Sequence, residues 1–317
     1  MLKLSFVVPF YNEEETIAEL YRRIQDVCVE NGYSDYEVAF IDDGSTDASA
    51  QIVEGFIAGG DAHVRLICLR KNFGKAAALQ AGFEHVSGDI AITMDADLQD
   101  DPKEVPQLIA KLDEGFDMVS GWKKNRRDPI EKRLPSKLFN AVTAKMSGIR
   151  LHDFNCGFKA YRKDVYKNLN VYGEMHRYIP VLAKRLGFST GEVAVEHHAR
   201  EHGHSKYGFE RYLRGLFDSM TSSFLLRYGD RPMHFFGKPG LLMCLLGFII
   251  CLILTIQWIG GETIGTRPLL VLGVLLIILG FQFFATGLSC EMMLDRMGSR
   301  GKNETYIARV LGFKEEA

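Results

Sequence analysis

The chain of 317 residues contains no Gly-X-Gly-X-X-Gly and no Gly-X4-Gly-Lys-Ser/Thr. The glycine cradles that usually hold a dinucleotide or an NTP phosphate are therefore missing. Its six cysteines, at positions 28, 68, 156, 244, 251 and 290, include no Cys-X-X-Cys pair. That excludes a disulfide framework and a structural zinc site, and it suits a reduced, cytosolic setting. Neither charge dominates: 38 Lys and Arg stand against 40 Asp and Glu, a formal net charge of −2, so no nucleic-acid partner is expected. Met1 to Phe6 runs directly into a strand pattern, so no cleavable leader is expected.

Charge is also missing locally. There is none from Pro239 to Gly261, and none from Pro268 to Cys290. Each run exceeds the roughly 20 helical residues that cross a hydrocarbon core, and both are read as membrane spans. Residues 1–236 read instead as a soluble α/β protein. Arg227, Arg231 and Lys238 precede the first span; Arg296, Arg300, Lys302 and Arg309 follow the second. The positive-inside rule places both flanks in the cytoplasm. Between Phe209 and Tyr228 apolar residues recur at helical spacing among Arg211, Arg214 and Asp218, which predicts an amphipathic interfacial helix. Gly247, Gly273, Gly280 and Gly287 permit close helix packing, within one chain or between copies.

In the soluble part, apolar strand patterns at 4–9, 36–41, 64–69, 90–94 and 117–120 alternate with helical patterns at about 13–31, 76–85 and 103–113. A helix near 175–186 and a strand at 192–197 follow. Such alternation argues a mostly parallel, Rossmann-like sheet. Right-handed crossovers bring the loops at 9–13, 42–47, 70–75 and 95–99 to its carboxyl edge, where ligands collect. Asp95, Asp97 and Gln99 then put three oxygen-bearing side chains on alternate residues after a buried strand. Crowded carboxylates call for a cation, and an incomplete oxygen cage suits Mg²⁺ or Mn²⁺ completed by water and phosphate. An acidic, helix-capping loop is the plain alternative. Asp42 and Asp43 end another strand and could accept hydrogen bonds from a base or ribose.

Val7-Val-Pro-Phe-Tyr-Asn-Glu13, Ile41-Asp-Asp-Gly-Ser-Thr-Asp47, Asn72-Phe-Gly-Lys75 and Met94-Asp-Ala-Asp-Leu-Gln99 resemble, in order and spacing, the motifs of family 2 glycosyltransferases with the GT-A fold. The nearest subgroup is the polyprenyl-phosphate sugar transferases, in particular the bacterial undecaprenyl-phosphate glucosyltransferases, with dolichol-phosphate mannosyltransferase related. The resemblance runs from about Leu4 to Lys206. It implies that Pro9, Tyr11, Glu13 and Asp43 hold the nucleotide, that Asp95 and Ala96 line its pocket, and that Asp97 and Gln99 bind the metal, with Asp95 a further candidate ligand. Arg200 and Lys206 would clamp the donor diphosphate. Lys123, Lys132 or Arg133, and Ser136 would hold the lipid phosphate, although relatives often carry Arg where this chain has Lys123. Asp153, in His152-Asp-Phe-Asn-Cys-Gly-Phe-Lys159, would orient a substrate or else cap its own turn.

The implied activity is metal-dependent, inverting transfer of a hexose, glucose from UDP-glucose first, to undecaprenyl phosphate. Mannose from GDP-mannose is the alternative. Processive polysaccharide synthases usually carry Gln-X-X-Arg-Trp, and neither Trp122 nor Trp258 follows an Arg. A zinc site at His197, His198, His202 and His204 has no supporting Cys or His-Glu-X-X-His pattern. The expected organisation is a cytoplasmic GT-A domain at 1–206, a juxtamembrane helix at 207–236, a two-helix hairpin at 237–290 and a cytoplasmic tail at 291–317. The setting is the bacterial inner membrane; homo-oligomerisation is left open.

Overall fold

The computed structural model describes residues 2–124, 151–196, 231–263, 268–297 and 307–311, and residues 144, 149, 224, 228 and 229. Most of the predicted amphipathic helix at 209–228 lies outside the described residues. The chain forms two compact units: residues 1–222 with 304–317, and residues 223–303.

The first unit is built on an eight-stranded mixed sheet. Its parallel middle comprises β1 (Leu4–Phe10), β2 (Tyr36–Asp42), β3 (Val64–Leu69) and β4 (Ile90–Thr93). β1 lies between β2 and β4, and β3 follows β2. Every residue of β1 is buried, which explains its almost unbroken apolar run. Phe6, Val8 and Phe40 pack on one face with Leu20 and Ile24 of α1 (Ile17–Glu30), Val53 of α2 (Ser49–Ala58), and Leu108 and Leu112 of α4 (Val105–Asp113). α3 (Lys75–His85) covers the opposite face so closely that a Cβ on Gly82 would lie 2.4 Å from Val7 Cγ1.

The sheet departs from a simple parallel order in two places. β6 (Lys159–Arg162) runs antiparallel between β4 and β5 (Met118–Lys123), and β7 (Thr190–Val195) pairs parallel with β5. Because β6 is reversed, its first residue, Lys159, lies opposite Thr93 at the end of β4. The turn before β6 therefore arrives at the carboxyl edge of the parallel strands. The four residues of β6 carry too little period to announce a strand in sequence. A short helix, α5 (Lys163–Asn168), follows; after it a 3₁₀ turn (Met175–Tyr178) leads into α6 (Ile179–Arg185). Beyond the apolar segments, β8 (Ile307–Leu311) pairs antiparallel with β3. The stretch expected as a plain tail thus contributes a strand to the sheet.

The second unit is a hairpin of α7 (Pro232–Ile259) and α8 (Pro268–Met297), both long and apolar enough to cross a membrane. Leu241, Phe248, Ile256, Val271 and Phe281 are among many large apolar side chains left exposed, which a water-facing helix pair would not tolerate. Glycine brings the two backbones together. A Cβ on Gly247 would lie 2.6 Å from the Gly273 carbonyl oxygen, and one on Gly280 would lie 2.6 Å from that of Gly240. The glycines noted in the sequence are therefore used within one chain. Gly247→Leu should cost about 1–3 kcal/mol through overpacking. The thermal midpoint of the detergent-solubilised chain should fall accordingly, and an unaltered midpoint would refute the contact.

Candidate active site

Four loops meet at the carboxyl edge, and hydrogen bonds fasten them in sequence. Asn12, in the left-handed region at φ 55°, donates its N–H to Ser45 Oγ at 3.0 Å and accepts from Thr46 N–H through Oδ1 at 2.8 Å. That ties the loop after β1 to the loop after β2. Asp43, 5 % exposed, accepts from the N–H groups of Phe73 (2.8 Å) and Gly74 (2.9 Å), tying β2 to the loop after β3. Burial raises the Asp43 pKa, and those two backbone donors oppose the rise. Lys75 then reaches Asp95 and forms an ion pair, tying the third loop to the fourth.

Gly44 makes this convergence possible. Its φ is 75°, and a Cβ there would lie 2.6 Å from the Lys71 carbonyl carbon, so both the turn and the neighbouring loop exclude a side chain. Leu98, between Asp97 and Gln99, has φ 59° although it is not glycine. Such a conformation costs of order 1 kcal/mol or more and collects at functional loops.

A fifth segment joins from the turn at 152–158. His152 and Asp153 donate their N–H groups to Glu192 Oε1 on β7 at 2.9 and 3.0 Å. At the other end of the turn, Thr93 Oγ1 donates to the Gly157 carbonyl at 2.7 Å, and Lys159 Nζ donates to the Cys156 carbonyl. A Cβ on Gly157 would lie 2.8 Å from Asp95 Oδ2, so this turn packs directly on the Asp95 carboxylate.

The predicted residues fall as follows. Pro9 is buried at the end of β1, whereas Tyr11 is 44 % exposed above it. Glu13 accepts from Thr16 Oγ1 at 3.2 Å. Ala96 is buried; Asp95, Asp97 and Gln99 are partly exposed. Burial works against ionisation of Asp95, but Lys75, aided by Lys123 and Lys159, brings its pKa down to about 2. Asp95 is thus already paired with a cation. Asp97 Oδ1 accepts from the Gln99 N–H at 3.2 Å. Among the described residues no group of three His, Cys, Asp or Glu could hold a metal ion. Asp97 and Gln99 offer side-chain oxygens alone, an incomplete donor set. It fits in kind a Mg²⁺ or Mn²⁺ ion that takes its remaining ligands from phosphate and water, with Asp97 and Gln99 as the residues to hold it.

Lys123 lies 2.8 Å from the fully buried Asp100. Burial alone would favour its neutral amine, but Asp100 raises its pKa and keeps it charged. Asp153, 2 % exposed, accepts from the Asn155 N–H at 3.1 Å, which is the turn-capping geometry. Lys132, Arg133, Ser136, Arg200 and Lys206 lie outside the described residues.

Three groups escaped the sequence reading. Lys75 was part of a motif without a role. Lys159, 2 % exposed, has its pKa lowered by burial and by Lys75, while Cys156, Asp153 and Asp95 act in the opposite direction. His176 has a buried Nδ1 with no hydrogen-bond partner among the described residues. Burial, then Lys75, Arg177 and Lys159, bring its pKa down to about 3, so the imidazole is neutral near pH 7. No sequence signal marks Lys159 or His176, because each matters through what surrounds it. Cys156 is no nucleophile: burial pushes its thiol up to about 12.

Residues 5–169 match the glycosyl transferase family 2 domain. The chain is 39% identical over 313 residues to dodecaprenyl-phosphate galacturonate synthase of Rhizobium johnstonii, covering 97% of this chain and 92% of the relative. It is 39% identical over 314 residues to undecaprenyl-phosphate 4-deoxy-4-formamido-L-arabinose transferase of Shewanella sediminis, covering 97% and 92%. Among solved structures, glucosyl-3-phosphoglycerate synthase of Mycobacterium tuberculosis in complex with phosphoglyceric acid superposes with a TM-score of 0.53 at 25% identity, covering 72% of this chain and 80% of that one. The same enzyme with Mn²⁺ and UDP-glucose gives 0.52 at 24%. This chain belongs to glycosyl transferase family 2. Its relatives are polyprenyl-phosphate sugar transferases, and its sheet has the GT-A fold.

Two outcomes test the site. Gly44→Ala should lower stability by about 1–3 kcal/mol in chemical denaturation, since the left-handed turn and the Lys71 backbone both reject a methyl group. The Asp95 pair should stabilise the fold fully above the ordinary carboxylate range and lose that contribution as pH falls toward about 2. Lys75→Met should move the Asp95 titration upward, because burial then acts without its counter-charge. Carboxyl-carbon NMR reads the shift, and an unmoved titration would discard the pair.

Proposed function

We propose that this protein transfers a sugar from a nucleoside diphosphate to a polyprenyl phosphate at the cytoplasmic face of the bacterial inner membrane. The observation that carries the reading is the fastening of loops 9–13, 42–47, 70–75 and 95–99 at one sheet edge, in a chain that also holds an apolar hairpin. A lipid-linked acceptor explains why such a domain is anchored. The basic flanks of the hairpin support a cytoplasmic active site.

A phosphate monoester has its second pKa near about 6 and is mostly dianionic at neutral pH, so the acceptor is a ready nucleophile without a strong base. Lys123, Lys132 or Arg133, and Ser136 are proposed to neutralise and orient it. One acceptor oxygen forms a bond to the anomeric carbon as the bond to the diphosphate oxygen breaks. The displacement inverts the anomeric centre. Arg200 and Lys206 are proposed to take up the charge of the departing diphosphate. A divalent ion at Asp97 and Gln99 would supply Lewis-acid stabilisation of the same charge. Pro9, Tyr11, Glu13, Asp43 and Ala96 are proposed to hold the nucleotide.

The donor sugar separates the finer readings. Motif resemblance favours glucose from UDP-glucose, with mannose from GDP-mannose as the second reading. The relatives name galacturonate and 4-deoxy-4-formamido-L-arabinose instead. Purified chain should be offered radiolabelled UDP-glucose, UDP-galacturonate, UDP-linked 4-deoxy-4-formamido-L-arabinose and GDP-mannose, with undecaprenyl phosphate and Mg²⁺ or Mn²⁺. Label from one donor should pass into the lipid fraction, and Asp97→Asn should abolish it. Full transfer by Asp97→Asn would remove the metal from the reaction. Absence of nucleotide binding in calorimetry would favour a non-catalytic membrane scaffold.

A further inference from the structure

Lys159 is the buried charge that the reaction above leaves without a role. It begins β6, opposite Thr93 of β4 and Ser120 of β5, so it stands beneath the carboxyl edge in the middle of the sheet. A buried ammonium is costly unless hydrogen-bonded and matched by opposite charge. Here it donates to the Cys156 carbonyl, and Asp153 and Asp95 are the carboxylates that, after Cys156, favour its charged form. Those two carboxylates come from different sides of the site: Asp95 from the loop that carries the candidate metal ligands, Asp153 from the acceptor-side turn. The turn has no slack between them. Gly157 fits against Asp95 only for want of a side chain, and Thr93 holds its carbonyl at 2.7 Å. At its outer end, Glu192 holds the N–H groups of His152 and Asp153.

We propose that Lys159 is a positioning residue: by holding the Cys156 carbonyl it fixes the turn at 151–158 where Gly157 rests on Asp95, and so keeps the acceptor side of the site in register with the donor side. This rests on the transferase reading above. Lys159 touches neither substrate, so its removal should leave donor binding in place and disturb the approach of the two reactants. A displacement of about 1 Å is enough to slow an oriented transfer by about 100-fold.

The test uses the full chain in detergent with the donor that the panel identifies. Lys159→Met should cut kcat by about 100-fold and raise the KM for polyprenyl phosphate, with calorimetric affinity for the nucleoside diphosphate nearly unchanged. Hydrogen exchange of the amides at 151–158 should quicken. Lys159→Arg should recover part of kcat and of the protection. Gly157→Ala, which keeps Lys159 but forces the turn off Asp95, should give the same split, and it decides the matter if Lys159→Met does not fold. Turnover and exchange within about threefold of wild type in either variant overturn the proposal. So does a loss of nucleotide binding that accounts for the whole loss of turnover. A wild-type protein that glycosylates no polyprenyl phosphate would overturn the functional reading alone, since the exchange comparison needs no acceptor.

Discussion

The structure of the site depends on one carboxylate and its neighbours. Asp95 faces the Lys75 ammonium on one side and the backbone of Gly157 on another, and Lys159 is buried close by. Without those cations the carboxylate would favour its protonated form in so crowded a place. With them it is held well below the ordinary carboxylate range. A charged Asp95 connects the loop after β3, the loop after β4 and the turn before β6. Removing Lys75 would leave the Asp95 charge without its ion-pair partner.

The same logic extends outward through hydrogen bonds. Asp43 holds the loop at 73–74, Asn12 holds the loop at 45–46, and Glu192 holds the start of the acceptor-side turn. Each is a side chain from one loop satisfying backbone donors of another. Loops at a sheet edge have such donors to spare because no ladder or helix takes them up. The carboxyl edge is therefore cross-linked by its own side chains before any ligand arrives. Such cross-links suit a reaction between two anionic substrates, whose mutual repulsion must be overcome by fixed positive charge.

The membrane hairpin follows a different rule. Glycine rather than charge sets its contact, since apolar side chains gain little by meeting each other when lipid surrounds them. Close backbone approach at Gly247 against Gly273, and at Gly240 against Gly280, supplies the packing instead.

The parallel strands, the two apolar helices and the four motif loops were legible in the amino-acid order. Hydrophobic period marks buried strands and spans, and chain crossover rules then force the loops to one edge. β6 and β8 were not legible, because a short strand is recruited by the edges or gaps its neighbours present. Nor were the partners of the motif residues. The oxygens of Asp43 accept from Phe73 and Gly74, and Lys123 pairs with Asp100, and no motif spacing announces either partner. Lys159 reads only as the last residue of the motif that begins at His152, with no role attached. Residue type and spacing decide which chemistry is available along the chain. Which carboxylate meets which ammonium is a matter of distance and dielectric, and both arise only when segments far apart in sequence are packed together.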